Sequence, residues 1–131
     1  MGLFDTVRLE RSYPEYDVPA GLKCQTKSLY ASCHEFTITA DGKLVEHLFR
    51  YEPDPERVHP MLGHILNRAI PIGDKVIDFH GDISLVYTLD RPHDRLQELV
   101  ARFTHGQLEW IRPIEQYPAG NRTLLTGYAA Q

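Results

Sequence analysis

Residues 78 to 89 read DFHGDISLVYTL. Counted by twos, Asp78, His80, Asp82 and Ser84 share one parity, and Phe79, Ile83, Leu85, Tyr87 and Leu89 share the other. In a strand, side chains two apart stand on one face, about 6.6 Å from one another at the usual rise per residue. Two carboxylates and an imidazole in such a row can grip a cation if Gly81 bends the chain. A carboxylate beside His80 can also fix its tautomer and raise its basicity, as general-base sites require. Asp78, His80 and Asp82, with His34 further up the chain, are therefore the candidate catalytic residues of a small acid/base or metal-dependent hydrolase. The competing reading is a sheet with one wet face, on which polar residues alternate with core residues.

Other chemistry finds less support. The D-x-H-x-D spacing matches no usual zinc pattern. His59 and His64 are five apart, so a helix would not bring them to one face. Cys33 and His34 are adjacent and point to opposite sides of a strand, and Cys24 and Cys33 are far from C-x2-C spacing. No metal and no cofactor is expected. Neither a G-x-S-x-G elbow, a P-loop nor a G-x-G-x-x-G turn is present, and Ser28, Ser32 and Ser84 have no specific claim. Asn121-Arg122-Thr123 has the form of a glycosylation acceptor, a short pattern that proves nothing by itself.

The elements that would carry these residues are mostly strands. In LFDTVRLE, Leu3, Asp5, Val7 and Leu9 form the more apolar parity of a half-buried strand. SYPEYDVPAG is a loop. In HEFTITADGKLVEHLF, Asp41-Gly42 marks a hairpin. A three-residue loop, Ala40-Asp41-Gly42, would pair Ile38 with Leu44 and gather Phe36, Ile38, Leu44 and Leu48 on one face. A slip of one residue would expose half of that set, so this register is preferred over a two-residue turn. RYEPDPERVHP breaks the strand pattern with three prolines. Val58, Met61, Leu62, Ile65 and Ala69 then follow helical spacing and predict a short helix from near Pro60 to near Arg68. Residues 75–89 read as one long strand with Gly81 at a bulge.

Residues 92–104 are ambiguous. Leu96, Leu99, Val100 and Phe103 have helical spacing, with Pro92 at a possible start and Gly106 just past the end. A His105-Gly106 turn would instead pair Phe103 with Leu108 and Ala101 with Trp110.

The chain has 131 residues, 42% hydrophobic and 24% charged, which suits one soluble globular domain spanning 1–131. Its formal charge is −4, and no Lys/Arg cluster offers the basic face that nucleic acid demands. No apolar run approaches the length of a membrane span. The N-terminus carries Asp5 where a signal peptide would keep its apolar run, and Cys24 and Cys33 are expected as reduced thiols, so the expected compartment is the cytoplasm.

The segments MGLFDTV, CQTKSLYASCHEFTITADGKL, DFHGDI and ARFTHGQLEWI resemble a set of small uncharacterised phage and prophage proteins. Those proteins share an M-G-x-[FY]-D start, a Q-[TS]-K segment, an early D-G hairpin, an F-x-G-[DE] strand and an F-T-x-G-x-L segment. The resemblance implies a compact β-rich fold and a mobile-element origin, and it tips the ambiguous stretch towards a hairpin from about Leu99 to Ile111. It carries no activity and no site residue with it.

The expected fold is α+β, mainly an antiparallel sheet built from hairpins, with one or two short helices packed on it. The expected function is non-enzymatic protein binding, through tyrosine-bearing loops and a sheet edge, with a host system as a conceivable target. The alternatives are the hydrolase built on Asp78, His80, Asp82 and His34, and a homo-oligomeric structural component.

Overall fold

A computed structural model describes residues 3–58, 60, 61, 63, 65–89 and 96–116. His59, His64, residues 92–95, Tyr117, Tyr128 and the Asn121-Arg122-Thr123 triplet lie outside the described residues. Eight strands form one sheet: β1 (Asp5–Leu9), β2 (Lys23–Thr26), β3 (Glu35–Ile38), β4 (Leu44–Val58), β5 (Ile65–Val76), β6 (Gly81–Tyr87), β7 (Gln97–Thr104) and β8 (Gln107–Pro113). Their order across the sheet is β5-β4-β3-β1-β2-β6-β7-β8. The sheet is mixed: β1 and β3 run parallel, and every other neighbouring pair is antiparallel.

The core is the inner parity of the strands. Val7 and Leu9 of β1, Phe36 and Ile38 of β3, Leu44 of β4, Ile83, Leu85 and Tyr87 of β6, and Leu99, Ala101 and Phe103 of β7 are all buried. These residues enclose one another because the sheet curls. Its far edge returns to the β3–β4 turn, where Lys43 bridges Gln107 and the Leu108 amide donates to the Gly42 carbonyl at 2.8 Å. The connection 77–80 runs along this seam, with Ile77 donating to Leu44 O and Gly106 donating to Phe79 O, each at 2.8 Å.

The β3–β4 hairpin has the register its apolar residues demand. Ile38 pairs with Leu44, and the Thr39 amide donates to Lys43 O across the three-residue loop. Gly42 has φ +86, a conformation that costs other residues about 1–2 kcal/mol. The ambiguous stretch is also a hairpin. His105 and Gly106 both have positive φ, the geometry of a two-residue turn whose twist matches the strands. Phe103 pairs with Leu108 as expected, but a bulge shifts Ala101 onto Ile111 and Arg102 onto Trp110.

Three expectations are corrected. Among the described residues the helical elements are single 3-10 turns, Pro14–Tyr16 and Ile114–Gln116, and no α-helix packs on the sheet. The expected helix near Pro60 is a chain reversal: Pro60 and Met61 turn, and the backbone is extended again from Ile65. Met61 is 87% exposed, so the apolar spacing there faces no core. The prolines after Arg50 do not end β4. Beyond His47 the strand pairs with β5 alone, and a two-stranded ribbon leaves one backbone edge where a missing N–H breaks no ladder. Residues 75–89 are two strands rather than one. Residues 77–80 leave the sheet, and Gly81, at φ +138, opens β6 on the other side of the fold.

Candidate functional site

The four candidate residues do not converge. Asp78 and His80 lie outside the strands, in the exposed connection before β6. His80 faces His105 with ring centroids 5.0 Å apart, and its Nδ1 is 3.4 Å from the His105 amide. Asp82 is engaged elsewhere: its two oxygens accept from Arg102 Nε at 2.8 Å and from the Arg102 terminal nitrogen at 3.0 Å. That guanidinium also stacks 4.8 Å over the Trp110 ring. Ser84, on the same parity, is fully buried; its amide donates to Ser28 Oγ and its hydroxyl to Glu98. The supposed wet face of β6 is therefore wet only at its start. No group of three His, Cys, Asp or Glu side chains among the described residues is arranged to hold a metal ion.

His34 belongs to a different end of the molecule. Its Nδ1 donates to the buried Glu46 carboxylate at 2.6 Å, and Tyr30 covers it edge-on at 4.8 Å. Beneath it lies Asp5, which is 0% exposed. Asp5 accepts four backbone N–H groups, from Tyr30 and Ala31 at 2.7 Å each, Ser32 at 3.0 Å and His34 at 2.8 Å. Ala31 and Cys33 adopt positive φ in this loop. The carboxylate thus folds residues 30–34 around itself and sets where His34 stands. Cys24 is buried and Cys33 exposed, both as free thiols. Burial pushes the Cys24 thiol up to about 12.

The side chains that do meet for chemistry stand on the outer face of β3, β4 and β5. Glu35 pairs with His47 and Thr37 with Val45 across β3–β4, and His47 pairs with Asp74 across β4–β5. The three residues Thr37, His47 and Asp74 thus share one face on three adjacent strands. Thr37 Oγ1 is 2.6 Å from His47 Nε2, and His47 Nδ1 is 2.8 Å from Asp74 Oδ1. They line a groove of about 380 Å³ with Thr6, Arg8 and Lys23 of the neighbouring strands, and with Glu10 and Glu35. Arg8 lies opposite Thr37 in the parallel pair and opposite Lys23 in the antiparallel one. Thr37 and Asp74 are 37 residues apart, and only the full sheet register brings them together, so no local spacing announces the set.

A second surface is set out by the β4–β5 ribbon. Phe49 pairs with Pro71, Tyr51 with Ala69 and Pro53 with Asn67. By strand alternation these share the outer face, while Arg50, Glu52 and Arg68 share the opposite one. Glu52 accepts from Arg68 at 2.7 Å and from Arg50 at 3.3 Å there. The outer face is uncharged from Phe49 to Pro53 and from Ala69 to Pro71, and Tyr51 on it is 65% exposed. Comparison with protein-family models, with curated proteins and with solved structures finds no match to the chain.

Proposed function

We propose that this protein is a protein-binding module, phage- or prophage-derived and acting in the cytoplasm, that grips its partner with the outer face of the β4–β5 ribbon. One observation carries the reading: an uncharged strip of Phe49, Tyr51, Pro53, Ala69 and Pro71 lies across two paired strands, backed by a charged face. A two-stranded ribbon is marginal in water by itself and gains from a covering surface. Tyrosine suits such a surface, because its ring buries apolar area at little entropic cost and its hydroxyl stays hydrated. The ribbon also carries a strand edge on β5, and Pro71 and Gly73 on it guard against indiscriminate pairing. Side-chain contact with the strip, rather than strand addition, is therefore the favoured mode. The separate thiols of Cys24 and Cys33 suit a reducing compartment. No helix among the described residues is long and apolar enough to cross a membrane.

The test is capture from host and phage-infected lysates by the native chain and by a Phe49→Asp/Tyr51→Asp double variant, with circular dichroism as the control for folding. A stoichiometric partner lost by the folded variant supports the reading. The same proteins captured by both chains, or none by either from a strictly monomeric protein, overturns it. A concentration-dependent dimer abolished by the same two changes would make the partner a second copy, the homo-oligomeric form of the proposal.

A further inference from the structure

We propose that the groove over β1, β3, β4 and β5 is an acyl-transfer site, with Thr37 as nucleophile, His47 as its general base and Asp74 as the residue that positions the base. The hydrogen bonds fix the direction of proton flow. An ionised carboxylate only accepts, so His47 Nδ1 carries the proton that meets Asp74 Oδ1 at 2.8 Å. That leaves Nε2 with its lone pair, 2.6 Å from Thr37 Oγ1, so the threonine hydroxyl donates to it. A hydroxyl aimed at an imidazole, itself oriented by a carboxylate, is the arrangement that activates a weak nucleophile. Thr37 and Arg8 are register neighbours on the same face, and Lys23 is the neighbour of Arg8. Both cations line the groove, where they can stabilise an oxyanion or hold an anionic substituent. The groove, about 380 Å³, is of a size for a small ester.

The step balances without an added reagent. Thr37 Oγ forms a bond to the ester carbonyl carbon and gives its proton to His47 Nε2. The carbon–alkoxide bond breaks, and the alcohol leaves with that proton. Water then adds to the acyl carbon with His47 again as base, the carboxylic acid departs, and the proton returns to Thr37. The substrate class is a small carboxylic ester. The site adjoins the ribbon strip on the same face of β4 and β5, but Phe49 and Tyr51 do not line its groove and Thr37 is not on the ribbon, so partner capture and the acetylation burst test the two proposals separately.

The probe is 4-nitrophenyl acetate, mixed with the intact chain and followed by nitrophenol release and by peptide mass mapping. The expected result is a burst approaching one nitrophenol per chain, with the acetyl group on Thr37. Thr37→Val, which keeps the branched shape on the strand, should abolish the burst, and Thr37→Ser should retain it. His47→Gln should slow it about 100-fold, the range of a lost general base. The burst should also fall in acid, where a protonated imidazole cannot accept the proton. The charged groups that line the groove with that imidazole are Asp74 from β5, Glu35 from β3, Arg8 from β1, Lys23 from β2, and Glu10 just past the end of β1. Asp74→Asn should slow acetylation and alter that pH profile, where a merely structural role would leave the profile unchanged. Absence of a burst, a burst that survives in folded Thr37→Val, or acetyl found only on Lys23 or Cys33, overturns the proposal.

Discussion

Replacing Asp5 should unfasten the loop that carries His34. The carboxylate is wholly enclosed and accepts four main-chain N–H groups between 2.7 and 3.0 Å. Hydrogen bonds to a charged acceptor contribute about 1.5–3 kcal/mol each, so their gross sum runs to about 6–12 kcal/mol. Two effects reduce the net loss. Residues 30–34 are only partly covered, so water can reach about half of the released donors. Ala31 and Cys33 also stop holding positive φ, which relieves about 1 kcal/mol apiece. Halving the sum gives about 3–6 kcal/mol, and the relieved strain of about 2 kcal/mol leaves a net cost for Asp5→Ala of about 1–4 kcal/mol, against the roughly 5–15 kcal/mol that holds a domain folded. Asp5→Asn should cost nearly as much, because one accepting oxygen becomes a donor pointed at two other donors. Urea denaturation followed by circular dichroism reads a cost of about 2.5 kcal/mol as a midpoint lowered by about 0.8–2.5 M, given the usual slope of about 1–3 kcal/mol/M for small proteins. Hydrogen exchange locates it: the amides of Tyr30, Ala31, Ser32 and His34 should lose protection while those of β6 and β7 keep theirs in the folded variant. If Asp5→Asn cost under about 1 kcal/mol and those four amides stayed protected, the carboxylate would not be what holds the loop.

Three further outcomes are expected. Gly42→Val should destabilise by about 2–4 kcal/mol in the same denaturation assay, from strain at positive φ and from crowding. A Cβ at Gly42 would displace Gln107 Nε2, which donates to Asp41 O, and would press on Leu108 Cβ at 3.2 Å. With a disulfide reagent such as 5,5'-dithiobis(2-nitrobenzoate), the folded chain should show one fast thiol, Cys33, and a second only on unfolding, because Cys24 is enclosed. Burial raises the Cys24 thiol to about 12 from an ordinary 9.0, so the folded state disfavours its thiolate. That contribution to stability is complete below about pH 9 and is lost as pH rises from there towards 12. A Cys24→Ala variant whose stability fell just as steeply over that window would place the alkaline loss elsewhere.

The parts of this fold that the sequence announces are those governed by neighbours in the chain. Gly42 after Asp41, and His105-Gly106, supply positive φ between alternating apolar residues, and both sites are hairpin turns in the structure. The alternation of Val7 and Leu9, and of Ile83, Leu85 and Tyr87, marks inner faces correctly. The errors come from elements whose meaning depends on distant pairing. Prolines 53 and 55 look like strand breakers, yet β4 runs through them because its backbone there pairs on one side only. Val58, Met61, Ile65 and Ala69 mimic a helix by spacing, while the pull of a long partner strand decides in favour of β5. The candidate site suffers for the same reason. Asp78, His80 and Asp82 are close in sequence but separate once Gly81 turns the chain and Arg102 claims Asp82. Thr37, His47 and Asp74 are brought together by cross-strand register, and Asp5 meets its four donors about 25–29 residues downstream.

The position of β1 in the strand order carries one last implication. The first strand along the chain is not at a border of the sheet but between β3 and β2, joining β5-β4-β3 on one side to β2-β6-β7-β8 on the other. A border strand can be lost while the rest of a sheet stays paired. Here the loss of residues 5–9 would leave β3 and β2 without their shared partner, and the two groups of strands would be joined by hydrogen bonds only at the seam between the β3–β4 turn and β8. Synthesis on the ribosome meets the same geometry: the keystone emerges before either of its partners and must wait, unpaired on one flank, until β3 has left the tunnel.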